Sequence, residues 1–477
     1  MRKILLCLLF ACLTVAVSKA SELRPASVFG DHMVVQQKSD CPVWGTAGAG
    51  ERLKIYTSWD QRSYSTSADA TGNWKVVVHT PGAGGPFEIR ITGNASLTLK
   101  DVFSGEVWLA SGQSNMYMPL KGYSGQPVYG STEAILGAGE RQIRFINVPV
   151  CAAYRPQDSF HADWQIASAE TAGDCSAPAW FFAALLEEQL GVPVGIIHAS
   201  YGGSNVETWM PASACGAFPA IHVPPLSDET SDRINNVPTL LFNGMISPLA
   251  GFTIRGLIWY QGESNVFGVR EYKPRFKAMV DAWRELWGTN FPVCFVQIAP
   301  YDYSEWNFFT PEYPEISAYI REAQLEASEE VPDCWMAVTM DVGDAHAIHP
   351  PEKEAVGKRL GLLALSKVYG WSGFEAESPE FDSMIVRDNM AILSFRKATN
   401  GLTTYGKELT GFEIAGENRV FVSAEAWYDE SNGTVVVSNR LVQKPVAVRY
   451  LFRNYAEAVL YGTGGLPVSS FRTDRWW

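Results

Sequence analysis

Between Val102 and about Gly370, short apolar runs alternate with longer stretches that read as helices. The runs lie at 106–110, 143–146, 194–198, 256–260, 293–297 and 335–339. Runs of that length, almost continuously apolar, fit strands covered on both faces. The stretches at 177–190, 272–287, 316–329 and 352–369 fit the covering helices. This alternation predicts an α/β fold with a largely parallel sheet and helices on both faces. Segments 117–137 and 211–237 have no clear period and are expected to be long loops, which often carry function.

On either side of this region the pattern becomes all-β. From 23 to 99, short alternating runs are separated by turns such as Gly48-Ala49-Gly50-Glu51 and Ala70-Thr71-Gly72-Asn73, a spacing that suggests a sandwich. A second β-region follows Gly370, with runs such as 391–395 and 434–438. At the start, Arg2 and Lys3 precede an apolar run over 4–17, then Ser18-Lys19-Ala20. That pattern reads as a signal peptide cleaved after Ala20, because the run is short for a span of ~20 residues. The expected division is therefore a leader at 1–20, an N-terminal β-domain at 21–101, an α/β domain at 102–370 and a C-terminal β-region at 371–477. The protein is expected to be exported to a periplasm or the medium, or to a lysosomal lumen in a eukaryote. No membrane span is expected in the mature chain.

A content of 47% hydrophobic and 19% charged residues excludes a disordered chain. The net charge of −13, with scattered basic residues, argues against a nucleic-acid partner. No CxxC pair or Cys/His spacing suggests a metal. Among the cysteines left after the leader, Cys151 and Cys175 are the pair that proximity in sequence suggests as a disulfide.

The chemistry concentrates where the apolar runs end. Ser111-Gly112-Gln113-Ser114-Asn115-Met116 follows the run at 106–110, and so falls at the C-terminal sheet edge where open α/β folds place their sites. A serine hydroxyl there needs a base to become a nucleophile. Of the seven histidines, His346 and His349 also follow a run of the α/β region, in Asp344-Ala345-His346-Ala347-Ile348-His349-Pro350. His198 ends an apolar run and reads as a satisfied core histidine. Two further polar turns follow apolar runs, Tyr201-Gly202-Gly203-Ser204-Asn205 and Gln261-Gly262-Glu263-Ser264-Asn265. Acyl transfer needs donors for an oxyanion. The Gly203 N–H and the side-chain amide of Gln261 or Asn265 could supply them.

Ser-Gly-Gln-Ser-Asn-Met, Trp-Tyr-Gln-Gly-Glu-Ser-Asn and Ile-His-Pro, in that order, resemble the sialate O-acetylesterase family, SGNH-type carbohydrate esterases. The resemblance runs from about Leu23 to Trp477. It implies a flavodoxin-like parallel sheet flanked by sandwich-like β-regions. It implies Ser114 as nucleophile and His349 as base and then acid. The oxyanion hole would be the N–H groups of Ser114 and Gly203 and the Gln261 amide, with Gln113, Asn115, Glu263 and Asn265 supporting the site. No cofactor is implied. The family's aspartate three residues before the histidine is replaced by His346, so Asp344 is expected as the triad acid, with Asp341, Glu263 or none as alternatives. Glutamate often follows Ser-Asn-Met in the family, and here Tyr117 stands there. The implied substrate is an O-acetylated sugar, sialic acid first, with acetylated xylan or another plant glycan as the alternative. A glycan-binding protein with a degenerate site is a further alternative.

Overall fold

The computed structural model describes residues 22–232, 235–306 and 315–476. The leader expected at 1–20 lies outside them. Six parallel strands form the central sheet, in the spatial order Ile143–Asn147, Val194–Ser200, Ser96–Gly112, Gly256–Tyr260, Val293–Val296 and Cys334–Ala337. Gln165–Ile166 adds an antiparallel edge. Val194–Ser200 and Gly256–Tyr260 are buried at every position, as strands covered on both faces must be.

Helices Ala177–Leu190 and Lys353–Lys367 pack together over one face of the sheet. Two glycines one turn apart allow this approach. A Cβ on Gly357 would lie 2.6 Å from the Phe181 Cβ, and one on Gly361 2.7 Å from the Leu185 Cδ2. The opposite face carries Val269–Trp287 and Ile316–Glu330. In the first of these, Tyr272, Phe276, Met279, Val280 and Trp283 form the buried stripe, the i, i+4, i+7 spacing of an amphipathic helix.

The N-terminal β-region is two facing sheets. One contains Arg24–Pro25, Asp40–Thr46 and Asn73–His79, and the other Arg62–Ser67, Arg52–Thr57 and Gly84–Thr92. The expected boundary at 101/102 falls within one strand. Strand Ser96–Gly112 pairs with Gly84–Thr92 through its first half and forms the middle of the parallel sheet through its second. Among the described residues, the C-terminal region has two four-stranded sheets and a two-stranded pair, Leu402–Thr403 with Tyr461–Gly462, and Phe381 is stacked on Phe471 at 4.7 Å between ring centres. It docks on the α/β region through Arg472 to Glu322 (2.8 Å) and Gln297 to Ser469 (2.9 Å).

The suggested disulfide is not formed: Cys151 and Cys175 are both free. Cys175 is buried in the core beneath Ala177–Leu190, whereas Cys151 packs its backbone against Gly244. Neighbourhood in sequence does not bring the two sulfurs together.

Candidate active site

The first strand of the α/β region lies between Val194–Ser200 and Gly256–Tyr260, so the chain reverses direction across the sheet beside it. That is the switch point at which such sheets open a crevice. Ser114 starts a one-turn helix directly after the strand. The crossing into it is tight. Gly112 has φ +138°, and a Cβ there would lie 2.1 Å from the Tyr260 carbonyl oxygen. The Gln113 N–H donates to the same carbonyl at 2.9 Å.

Ser114, Gly202, Gly203, Asn205, Glu263 and His349 line one cavity of about 550 Å³, completed by apolar groups including Val266, Phe267 and Ile348. Gly202 passes so close to the serine that a Cβ on it would lie 3.6 Å from the Ser114 Cβ. Gly203 follows with φ +65°. Four separate turns thus meet at one crevice, as the sequence predicts for a parallel sheet.

His349 does not meet Asp344. The Asp344 carboxylate accepts from the backbone N–H groups of His346 (2.7 Å) and Ala347 (2.9 Å), closing its own turn. Asp341 is held by Arg359 through two bonds of 2.7 Å. Glu263 is held by Asn115. The His349 Nδ1 instead donates to the side-chain oxygen of Gln126 at 2.7 Å. Gln126 ends a tight hairpin whose other end, Tyr123, exchanges both backbone bonds with it. The Tyr123 ring packs edge-on against His349 at 5.5 Å, and its hydroxyl donates to the Ser114 carbonyl at 3.1 Å. With Nδ1 acting as donor, the Nε2 lone pair is free to accept a proton. Burial, and then the Lys353 charge, pull the His349 pKa down to about 4.

Gln261 is also displaced from its expected role. Its amide nitrogen donates to the Ser204 carbonyl (3.1 Å) and to Asn265 Oδ1 (2.6 Å), so both N–H groups are used behind the turn. Asn265 is committed too, to the Val206 N–H and the Glu207 carboxylate. These two residues shape the Gly202–Asn205 turn instead of lining the cavity. Gln113 has a similar task, its side-chain oxygen accepting from the N–H groups of Gly262 (3.2 Å) and Ser264 (3.3 Å).

Beneath the serine lies a buried polar chain. Asn115 donates to Glu263 (2.6 Å) and to the Ile348 carbonyl (3.0 Å), and accepts from the Lys353 ammonium (2.6 Å). It ties the serine turn to the Glu263 turn, the histidine loop and the helix after it. Lys353 is fully buried, and burial pulls its pKa down to about 7 against the pull of Glu263. Burial raises the Glu263 pKa, with the Asn115 bond and the Lys353 charge opposing. Neither Lys353 nor Gln126 stood out in the sequence. A lysine in the first turn of a helix opposes the helix dipole, and that oddity was the one available sign for Lys353. His198 is the core histidine expected: buried, bonded to Asn147 and Ser200, with its pKa lowered by burial.

A family model described as carbohydrate esterase, sialic acid-specific acetylesterase, matches residues 104–362, more than half of the chain. The chain belongs to this family. The family's human relative, named sialate O-acetylesterase, is 29% identical over 409 residues, covering 78% of this chain and 76% of the relative. The rat protein of the same name is 28% identical over 438 residues, covering 78% and 79%. A crystal structure of a carbohydrate acetylesterase from Xanthomonas citri is 34% identical, with a TM-score of 0.86, over 95% of this chain and 100% of that one. The chain is thus an enzyme of a carboxylic ester hydrolase family, and the β-regions on either side of the matched segment are shared with that esterase structure.

Proposed function

We propose that the chain removes acetyl groups from sugar hydroxyls through an acetyl-Ser114 intermediate. The observation that carries this reading is that Ser114 and His349 share one cavity while His349 Nδ1 is occupied by Gln126. The Ser114 Oγ attacks the acetyl carbon and passes its proton to His349 Nε2. The N–H groups of Ser114 and Gly203 receive the negative oxygen. Collapse breaks the bond to the sugar oxygen, which takes the proton back from His349. Water then repeats the sequence on the acetyl-serine, releasing acetate. The strand order beside Ser96–Gly112 supports an SGNH-type, flavodoxin-like reading of the sheet.

Two substrate readings follow. Sialic acid is the sugar named in the family description. A neutral acetylated glycan such as acetyl-xylan is favoured by the lining, in which the described residues include the Glu263 carboxyl and neither lysine nor arginine. The test is rapid quenching during turnover of 9-O-acetylated sialic acid and of acetyl-xylan, with mass spectrometry of the serine-bearing peptide. One acetyl group on Ser114, formed with either substrate, is the expected result. Acetate release without it excludes the covalent route.

The pH profile follows from the geometry. His349 acts as base when neutral, so kcat/KM holds down to a limb near pH 4, below the ordinary histidine value of 6.5. Gln126→Glu places a carboxylate at Nδ1, which favours the imidazolium and raises the pKa. The limb then moves to higher pH by about one to three units. An unmoved limb rules out Gln126 as the partner that positions His349.

A further inference from the structure

A second cavity, of about 570 Å³, opens beside the first over the C-terminal ends of Ile143–Asn147 and Val194–Ser200. Tyr123 is the wall between them. Its ring packs against His349 and its hydroxyl binds the Ser114 carbonyl, yet it also lines the second cavity. A molecule whose ester lies at Ser114 would therefore reach this cavity by extending past Tyr123.

The chemistry of the lining is specific. Tyr117 is 38% exposed there, with its ring 5.9 Å from His198 and 6.3 Å from Tyr201. Supported from behind in this way, it presents a fixed aromatic surface with a polar tip. Asp163, Gln165 and Glu170 line the same space. Their oxygens are acceptors, and hydroxyl groups are the donors that suit them. Among the described residues, the lining contains neither lysine nor arginine, and the nearby Lys121 is taken up by Asp174. A third carboxylate, Asp174, is paired with Lys121. Burial favours the neutral form of His198, whose nitrogens bond Asn147 and Ser200.

We infer that this cavity is a glycan subsite that takes an uncharged sugar unit adjacent to the acetylated one, stacking it on Tyr117 and binding its hydroxyls through Asp163 and Glu170. This rests on the esterase reading above and deepens it. The subsite selects neutral oligosaccharides over sialylated ones, since a sugar carboxylate would face the like charges of Asp163 and Glu170, and no cation is among the described lining residues. Monosaccharide esters gain nothing from it.

The test uses the full chain and the double variant Tyr117→Ala with Asp163→Ala. On acetylated xylo-oligosaccharides, loss of kcat/KM in the variant should exceed its loss on p-nitrophenyl acetate tenfold or more, mainly through KM. Equal losses on both overturn the subsite. If the wild-type chain cleaves neither ester, the esterase reading fails, and binding then tests the subsite alone. For this, the Ser114→Ala chain is titrated by calorimetry with xylo-, manno- and gluco-hexaoses and with 3′-sialyllactose. Binding of a neutral hexaose that the two substitutions weaken tenfold supports the inference. Binding of none of the three, unchanged binding in the variant, or preference for the sialylated sugar overturns it.

Discussion

Ser114→Ala lowers kcat for acetate release by three orders of magnitude or more, with the fold unchanged. The first part follows from the covalent route, in which loss of the nucleophile leaves only the binding and oxyanion contributions. The second follows from the surroundings. The Ser114 Oγ makes no hydrogen bond among the described residues, so its removal orphans no buried group. The change in unfolding free energy should stay within about 0.5 kcal/mol, as for substitutions that break no packing or network. His349→Ala should cost nearly as much activity, and the double variant little more than either single one, since the pair acts as a unit. A loss under about a hundredfold in kcat would remove Ser114 from the nucleophile's role.

Asn115→Ala is expected to be the most destabilising exchange near the site, at about 3–5 kcal/mol. Asn115 is 1% exposed and satisfies a buried ammonium, a buried carboxylate and the Ile348 carbonyl at once. Alanine leaves all three without that partner, and orphaned buried charge costs more than a lost neutral contact. A urea titration reads the loss as a lower midpoint at constant slope. Pairing Asn115→Ala with Lys353→Met should recover part of it, by removing the charge that alanine abandons. A loss under 1 kcal/mol would mean that the chain Lys353–Asn115–Glu263 does not hold the site together. Lys353 also leaves a pH signature. Its proton leaves near pH 7 in the folded chain but near 10.5 when unfolded. Across that window the unfolded state binds more protons, so stability rises with pH and the full burial penalty applies below it. Lys353→Met removes that rise.

The sequence exposed what local pattern controls and missed what distant contact controls. The parallel sheet, its helices and the meeting of four polar turns followed from period and from where each apolar run ends. The proposed pair Ser114 and His349 came from the chemistry that a nucleophile demands and from family resemblance, and the two do line one cavity. Asp344 misled because a short side chain beside a turn can bond its own backbone, and it does so with His346 and Ala347. Gln126 was illegible for the opposite reason. It lies in an aperiodic segment 223 residues from His349, and only the hairpin it shares with Tyr123 carries it there. Gln261 fell in the right turn with its amide facing away, a choice of rotamer that no spacing encodes. Lys353 stands at the start of its helix, and its role was hidden because its partner Asn115 is 238 positions away.

The seventeen-residue strand Ser96–Gly112 has a consequence for how such a chain can be cut or recombined. Accessory β-domains are commonly interchangeable parts, joined by flexible tethers that proteases find. Here the joint is itself a middle strand of the parallel sheet, and Ser114 stands two residues past its end. Deleting the N-terminal region removes the pairing partners of half that strand and opens the core next to Ser114. The β-region and the candidate site therefore share one strand, and grafting either alone is expected to leave half of that strand unpaired.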